Sequence, residues 1–272
     1  MTPGAREVSA STLSFASHEV KEARRALAVE MPLELVFGTI PYAVMMVTPD
    51  DLEDFVTGFA MTEGVIERAG DIRAIKIEQH PKGLRALIDL VPEKLSAHLA
   101  RKRAMTGRTS CGVCGIEDLA SLPLQDKPVK DRARISEEAI KRAIDTLGAH
   151  QPLNDSTRAV HAAAWFDHGG RFILAREDVG RHNSLDKTIG ALMRSEADPQ
   201  SGFMLITSRA SYEMIEKTAH FGASTLVAIS APTSLAVERA EALGITLYAI
   251  ARADGAMKFT NLTDEYVKET RP

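Results

Sequence analysis

The first half of the chain alternates short apolar runs with stretches of helical periodicity. Four runs rich in apolar and β-branched residues, bounded by turn residues, predict strands: 33–37, 42–47, 72–78 and 84–90. Between the second and third runs, Leu52, Phe55 and Phe59 recur at helical spacing, and Thr48 before them is a predicted N-cap. A further helix is predicted to begin at Pro92. This half is therefore predicted to be an α+β unit.

The second half alternates more regularly. Ser136 predicts the cap of a helix that ends near Gly148, and the runs 160–166 and 171–175 predict a hairpin. Strands and helices then follow in turn, with helices at 184–193, 211–221 and 233–243 and strands at 203–207, 226–230 and 245–250. Continuous apolar strands are typical of parallel sheets covered on both faces. The predicted fold class is α/β, with a three-layer α/β/α sandwich that has one antiparallel edge in this half.

Changes in composition divide the chain into four predicted segments. Residues 1–30 are rich in Ala, Ser and charge, and they are expected to be loosely ordered. The α+β domain occupies 31–122, and a charged, proline-containing linker occupies 123–134. The α/β/α domain occupies 135–272. The oligomeric state stays open, a homodimer included.

Composition and charge exclude several functions. The net charge of −4 gives no bulk electrostatic case for nucleic-acid binding. No run of 18 apolar residues occurs, which argues against a membrane span. The first 30 residues lack the apolar stretch of a signal peptide, so a cytoplasmic location with reduced thiols is predicted.

The only two cysteines lie two residues apart, at Cys111 and Cys114, between the two halves. Gly112 and Gly115 remove side-chain bulk and give the backbone conformational freedom. Four basic residues precede the pair: Arg101, Lys102, Arg103 and Arg108. Nearby positive charge favours the nucleophilic thiolate over the thiol. The stretch is therefore predicted to be a loop that presents two sulfurs, one of them activated.

Other chemistries of a Cys-x-x-Cys pair fit less well. A structural zinc site needs further cysteines or suitably spaced histidines, and the eight histidines are scattered. A structural disulfide is disfavoured without a secretion signal. A thioredoxin-like motif would follow a strand and open a helix, but this pair follows a basic, helix-like run. A zinc deaminase would need His-x-Glu, which occurs nowhere in the chain. Sulfur chemistry by the thiols themselves remains, with no metal site.

The loops that leave the predicted strands of the second half are polar or small. Ligands of open parallel sheets bind beyond the carboxyl ends of the strands. Three of these loops contain an arginine, namely Arg181, Arg209 and Arg252, and helix N-termini with arginine suit phosphate groups. Taken singly, each loop is equally an ordinary capped turn; together they predict an anionic, nucleotide-like ligand. His182 is either a proton shuttle or a hydrogen-bonding residue at a helix start.

Several motifs together resemble the formate dehydrogenase accessory sulfurtransferase (FdhD) family over nearly the whole chain after about residue 30. They are Thr48-Pro49, Gly58-Phe59, Thr62-Glu63-Gly64, Ser110-Cys111-Gly112-Val113-Cys114-Gly115, Glu177-Asp178-Val179-Gly180-Arg181-His182-Asn183, Asp186-Lys187 and Ser230-Ala231-Pro232-Thr233-Ser234-Leu235-Ala236. The resemblance implies a cytidine-deaminase-like C-terminal domain. It also implies transfer of persulfide sulfur from a cysteine desulfurase to the bis(molybdopterin guanine dinucleotide) molybdenum cofactor of formate dehydrogenase.

The resemblance also implies site residues. Cys111 would carry the persulfide, and Cys114 would relay or release the sulfur. The cofactor-binding segment aligns with Ile250, Ala251, Arg252, Ala253, Asp254 and Gly255, where the absence of a Gly-Arg step leaves Arg252 as the cation. The neighbouring loops add Arg181, His182, Ser208, Arg209 and Thr233. GDP would serve as an analogue of the nucleotide arm. The alternative is a nucleotide-binding chaperone or a redox-sensing regulator without sulfur transfer.

Overall fold

The computed structural model describes residues 4–103, 127–129 and 134–260. Its N-terminal half contains six strands and two helices among these residues. The elements are β1 (Ala5–Leu13), β2 (Val20–Ala28), β3 (Met31–Phe37), β4 (Ile40–Val47), α1 (Leu52–Thr62), β5 (Ile72–His80), β6 (Gly83–Leu90) and α2 (Pro92–Arg103). The last four strands form one sheet in the order β4-β3-β6-β5. Its apolar face packs on α1 through Phe55, Val56 and Phe59.

The N-terminal segment corrects one expectation. Residues 1–30 were predicted to be loosely ordered, but β1 and β2 form an antiparallel hairpin that pairs Ala5 with Ala28 and Leu13 with Val20. Most of its side chains are exposed. The two strands are therefore held by backbone pairing and bury few side chains. For this reason the sequence shows no hydrophobic pattern that predicts the hairpin. The element that lies against the hairpin is α4 (Pro152–Thr157), another helix that the sequence pattern did not reveal.

The start of α1 also differs from the prediction. The helix begins at Leu52, after Asp51 in a left-handed conformation with φ of 53°, and not at Thr48-Pro49. Thr48 is fully buried. Its backbone N–H donates to Asp178 Oδ2 over 2.9 Å, and its hydroxyl accepts from the Val179 N–H. Thr48 thus connects the two halves of the molecule and does not cap the helix.

The C-terminal half is built on a six-stranded sheet in the order β12-β11-β10-β9-β7-β8. The remaining elements are α3 (Glu137–Leu147), β7 (His161–Asp167), β8 (Phe172–Asp178), α5 (Arg181–Arg194), β9 (Gly202–Ile206), α6 (Tyr212–Phe221), β10 (Thr225–Ala228), α7 (Ser234–Ala242), β11 (Thr246–Arg252) and β12 (Gly255–Lys258). Strands β9, β10 and β11 are parallel. Antiparallel strands flank them on both sides, whereas the sequence predicted one antiparallel edge.

Helices cover both faces of this sheet, as the α/β/α prediction requires. Alternate residues of a strand point to opposite faces. In β7, Ala163 and Trp165 pack with α5, α6 and α7, whereas Ala164 and Phe166 pack with α3. The α/β fold class is therefore confirmed, and among the described residues three helices lie on one face and one on the other. Val129, within the predicted linker, packs with the first group, and its N–H donates to Leu243 O.

Helices α1 and α5 join the two halves through an unusually close contact. Gly58 lies against the Asp186 backbone, and Gly190 lies against the Asp54 backbone, so that neither position has room for a Cβ atom. Glycine lets two helix backbones approach in this way because it has no side chain. Among the described residues, no helix is long and apolar enough to cross a bilayer.

Candidate functional site

The sulfur-bearing loop predicted from sequence lies outside the described residues. This applies to Cys111, Cys114 and the preceding Arg108. Helix α2, which leads toward the loop, ends at Arg103. The site that the structure describes is therefore the second one predicted from sequence, at the carboxyl ends of the strands.

Four strands end at one edge of the C-terminal sheet. Strand β8 runs parallel to β9, because both are antiparallel to β7, which lies between them. The loops that follow β8, β9, β10 and β11 therefore leave the same edge. From β11 to β8 there are four interstrand steps, or about 19 Å at the usual spacing. The predicted binding residues lie along this edge and do not converge on one point.

The β11 end of the edge carries the segment from Ile250 to Gly255. Ile250 takes a left-handed conformation with φ of 53°, at an irregularity in the pairing of β11 with β12. The Arg252 guanidinium donates hydrogen bonds to the carbonyl oxygens of Ile229 and Ala251. These bonds keep the guanidinium against the backbone that follows β10.

A cavity of about 550 Å³ separates this segment from α3. Its volume lies within the ordinary range of small-molecule sites. It combines an aromatic ring, apolar side chains and charges of both signs. The lining residues are Glu137, Glu138, Ile140, Lys141, Ile144, Tyr248, Arg252, Ala253, Asp254, Gly255, Ala256 and Lys258. Burial, together with the negative charge of Glu137, raises the pKa of Tyr248 above its ordinary value and keeps this phenol protonated.

At the β8 end, the first two residues of α5 are partly buried. His182 Nε2 lies 2.9 Å from Glu213 Oε2, which belongs to the first turn of α6. Burial opposes ionisation of Glu213, yet the hydrogen bond from His182 and the charge of Arg181 hold the pKa of this carboxyl below its ordinary value. His182 thus makes the hydrogen bond at a helix start that was one of its two predicted roles.

His161, at the start of β7, belongs to the same group of side chains. It is half-buried, and burial lowers its pKa, as do the charges of Arg181 and His182. Sequence reasoning missed both His161 and Glu213. The available signal was positional, since each lies within two residues of a predicted strand or helix boundary at the ligand-binding edge.

The residues between these two ends have simpler roles. The Ser208 hydroxyl is buried and donates to Arg209 O, whereas the Arg209 side chain is exposed. The Thr233 hydroxyl accepts from the Ala236 N–H and caps α7. Among the described residues, no hydrogen bond joins the Arg181–His182 pair to the Arg252 segment.

Much of the polar motif at 177–187 faces the protein interior. Lys187 and Asp178 are fully buried and lie 2.7 Å apart. Lys187 also donates to Thr48 O, and Asp178 Oδ1 accepts from Asn183. Asn183 donates in turn to Met46 O. These residues hold the end of β4 against the C-terminal domain, so they contribute to the architecture beneath the edge.

A second buried network lies between α1, α5 and α6. Lys217 Nζ contacts both carboxylate oxygens of Asp186 at 2.9 Å and the Thr62 hydroxyl at 2.8 Å. Burial raises the pKa of Asp186, and the charge of Lys217 opposes that rise. Nearby, Asp54 pairs with both Arg176 and Arg194. Polar bonds therefore surround the glycine contact of α1 with α5.

Comparison with known proteins identifies the family. The model of the FdhD/NarQ family matches residues 28–264. The chain belongs to this family. A sulfur carrier protein FdhD from Xanthomonas euvesicatoria pv. vesicatoria is 46% identical over 226 residues, which cover 83% of this chain and 80% of that protein. Its counterpart from Cupriavidus necator is 45% identical over 227 residues, covering 84% and 79%.

A solved structure shows the same fold. The crystal structure from Desulfotalea psychrophila, assigned as a formate dehydrogenase accessory protein, superposes with a TM-score of 0.72. It covers 94% of this chain and 96% of that one, at 24% identity. The family match includes Cys111, Cys114 and the whole carboxyl edge, whereas the β1–β2 hairpin lies almost entirely before its first matched residue.

Proposed function

We propose that this chain is a sulfurtransferase that accepts persulfide sulfur on Cys111 and serves formate dehydrogenase. The observation that carries the proposal is the family match, in which relatives 46% identical are named sulfur carriers. The only two cysteines of the chain lie inside the matched region. A thiol pair is the chemistry that sulfur carriage needs.

The transfer is an exchange between thiolates and persulfides. The Cys111 thiolate attacks the outer sulfur of a persulfide on a cysteine desulfurase. A new S–S bond forms at Cys111, the S–S bond of the donor breaks, and the donor cysteine leaves as a thiolate. Attack by the Cys114 thiolate on the inner sulfur of Cys111 would then form a disulfide and expel the outer sulfur as hydrosulfide.

The acceptor in this proposal is the bis(molybdopterin guanine dinucleotide) molybdenum cofactor, bound as a substrate along the carboxyl edge. The cavity beside α3 supports this assignment, because Tyr248 offers a ring for stacking and Arg252 and Lys258 offer positive charge for phosphates. A long ligand also suits binding residues that are spread over about 19 Å.

Persulfide loading tests the proposal. The chain is incubated with a cysteine desulfurase and cysteine, and the intact mass is measured before and after reduction. A gain of one sulfur, about 32 Da, that is removed by dithiothreitol is expected, as exchange chemistry requires. Cys111→Ser should lose the gain, whereas Cys114→Ser should keep it.

The outcome that contradicts the proposal is equally definite. If neither the parent chain nor Cys114→Ser gains sulfur, or if Cys111→Ser gains as much as the parent, the sulfurtransferase assignment is wrong. GDP binding without sulfur loading would instead favour a nucleotide-binding chaperone or a redox-sensing regulator.

A further inference from the structure

Arg181 has a buried hydrogen-bond donor without an acceptor. Its guanidinium Nε is shielded from solvent, and no described residue accepts a hydrogen bond from it. Leaving such a donor unpaired is costly, and the cost is larger for a charged group than for a neutral one. The large majority of buried polar atoms in proteins have a hydrogen-bond partner, which can be an ion or a water molecule, so an unpaired one calls for an explanation. An acceptor supplied by a ligand would satisfy this one.

The surroundings of Arg181 favour a negatively charged acceptor. The charges of Arg181 and His182 both act on His161, which is itself half-buried. Strand β8 carries two carboxylates, and both are engaged: Asp178 pairs with Lys187, and Glu177 accepts from the Leu153 and Asn154 N–H groups. The carboxylate that faces the group from α6, Glu213, is bonded to His182. The carboxylates near Arg181 and His161 therefore already have hydrogen-bond partners, and none of them accepts from Arg181 Nε.

The helix starts on either side add to this preference. Helix α5 begins after Gly180 and helix α6 after Ser211, and within the described residues no side chain caps either start. The N-terminus of a helix carries partial positive charge and free N–H groups. Both helices begin at the edge that carries Arg181 and His161.

We propose that Arg181 and His161 form a subsite for a tetrahedral oxyanion of the phosphate class, at the β8 end of the edge. The subsite lies at the opposite end of the carboxyl edge from Arg252. His182 is a positioning residue, because it contacts Glu213 Oε2 at 2.9 Å and so fixes the place of that carboxylate. Assignment of the oxyanion to a nucleotide phosphate rests on the proposed function.

Sulfate is the probe, since its charge does not change near neutral pH. Its binding to the full chain is measured by calorimetry at constant ionic strength. Arg181→Gln should bind sulfate at least about tenfold more weakly, as the loss of one charge-assisted hydrogen bond implies. Arg181→Lys, which retains the charge, should lose less. Arg171→Gln, which removes an exposed arginine at the other end of β8, is the matched control and should bind like the parent.

The titration of His161 gives a second readout. An anion favours the protonated imidazole, so its pKa should rise when sulfate binds. Sulfate affinity should therefore increase as the pH falls, and His161→Gln should flatten this dependence. Histidine ring NMR signals, assigned with the same variant, follow the pKa directly. Unchanged His161 titration in saturating sulfate would overturn the proposal.

Two further results complete the test. Equal sulfate affinity in Arg181→Gln and the parent, with both folded by thermal melting, would overturn the subsite. Competition between sulfate and GDP supports a nucleotide phosphate at the subsite, whereas sulfate binding without competition supports the subsite and assigns it to a free anion. Sulfur loading of the parent chain is measured separately, so failure of the proposed function is distinguished from failure of the subsite.

Discussion

Replacing Gly58 by alanine should disrupt the contact of α1 with α5 that joins the two halves. A Cβ at this position would lie 2.6 Å from the Asp186 carbonyl carbon and closer still to its oxygen. Ordinary contact begins at 3.4 Å, so the two helices must separate by at least about 0.8 Å. The obstructing atoms belong to the backbone of a helix, and no side-chain rotation can relieve the contact.

The magnitude follows from opposing effects. Alanine gains up to about 1 kcal/mol over glycine within a helix. Overpacking of a core typically costs about 1–3 kcal/mol. Separating the two helices by about 0.8 Å also removes about a quarter to a half of the dispersion energy of each contact along the interface. The contact between two backbones belongs at the upper end of that range. We expect a net loss of about 2–3 kcal/mol in the free energy of unfolding.

Urea denaturation provides the assay, with two probes. The single tryptophan, Trp165, lies in the core of the C-terminal sheet, and far-ultraviolet circular dichroism reports on both halves. The midpoints should move down and the two transitions should separate, because the joint is weakened. Gly148→Ala is the control: a Cβ there meets nothing within 4 Å and its backbone is already helical, so stability should stay the same or rise by up to about 1 kcal/mol. A Gly58→Ala protein as stable as the parent would refute the close packing.

Two other substitutions test the buried polar groups. Lys187→Met should lower the free energy of unfolding, measured in urea, by about 3–5 kcal/mol, because it leaves Asp178 buried without its cation. Adding Asp178→Asn to the same chain should restore part of the loss. An unchanged midpoint in Lys187→Met would contradict the buried network. Burial lowers the pKa of His220, so the unfolded chain binds more protons and stability should fall as the pH drops below about 6.5. His220→Gln should weaken this dependence, and an identical pH profile would show that another group is responsible.

Elements with a buried face could be predicted from sequence, and elements without one could not. Phe55 and Phe59 predicted α1, and the apolar run at 203–207 predicted β9, because these side chains form part of the buried core. Strand β12 has four exposed residues and carries no period that distinguishes it from a loop. The β1–β2 hairpin was missed for the same reason. Helix α4 has six residues, too few for a helical repeat to show.

The carboxyl edge was predictable as a place, but the partners of its residues were not. Asp178 and Lys187 look like ligand-binding residues in a loop after a strand, yet both face Thr48, which lies about 130 residues earlier in the chain. The reverse error applies to His161, which looked uninformative until the fold placed it beside Arg181. Sequence spacing gives the order of residues, whereas long-range contacts decide whether a polar side chain faces a ligand or the protein.

The contact of α1 with α5 has a consequence for synthesis of the chain. Helix α5 ends about 130 residues after α1 ends. At translation rates of about 5–20 residues per second, the Gly58 face of α1 waits roughly 7–26 seconds for its partner. During that interval the nascent N-terminal sheet has one side of its covering helix exposed to solvent. The face of α1 that packs on α5 is therefore uncovered until the C-terminal half has been made.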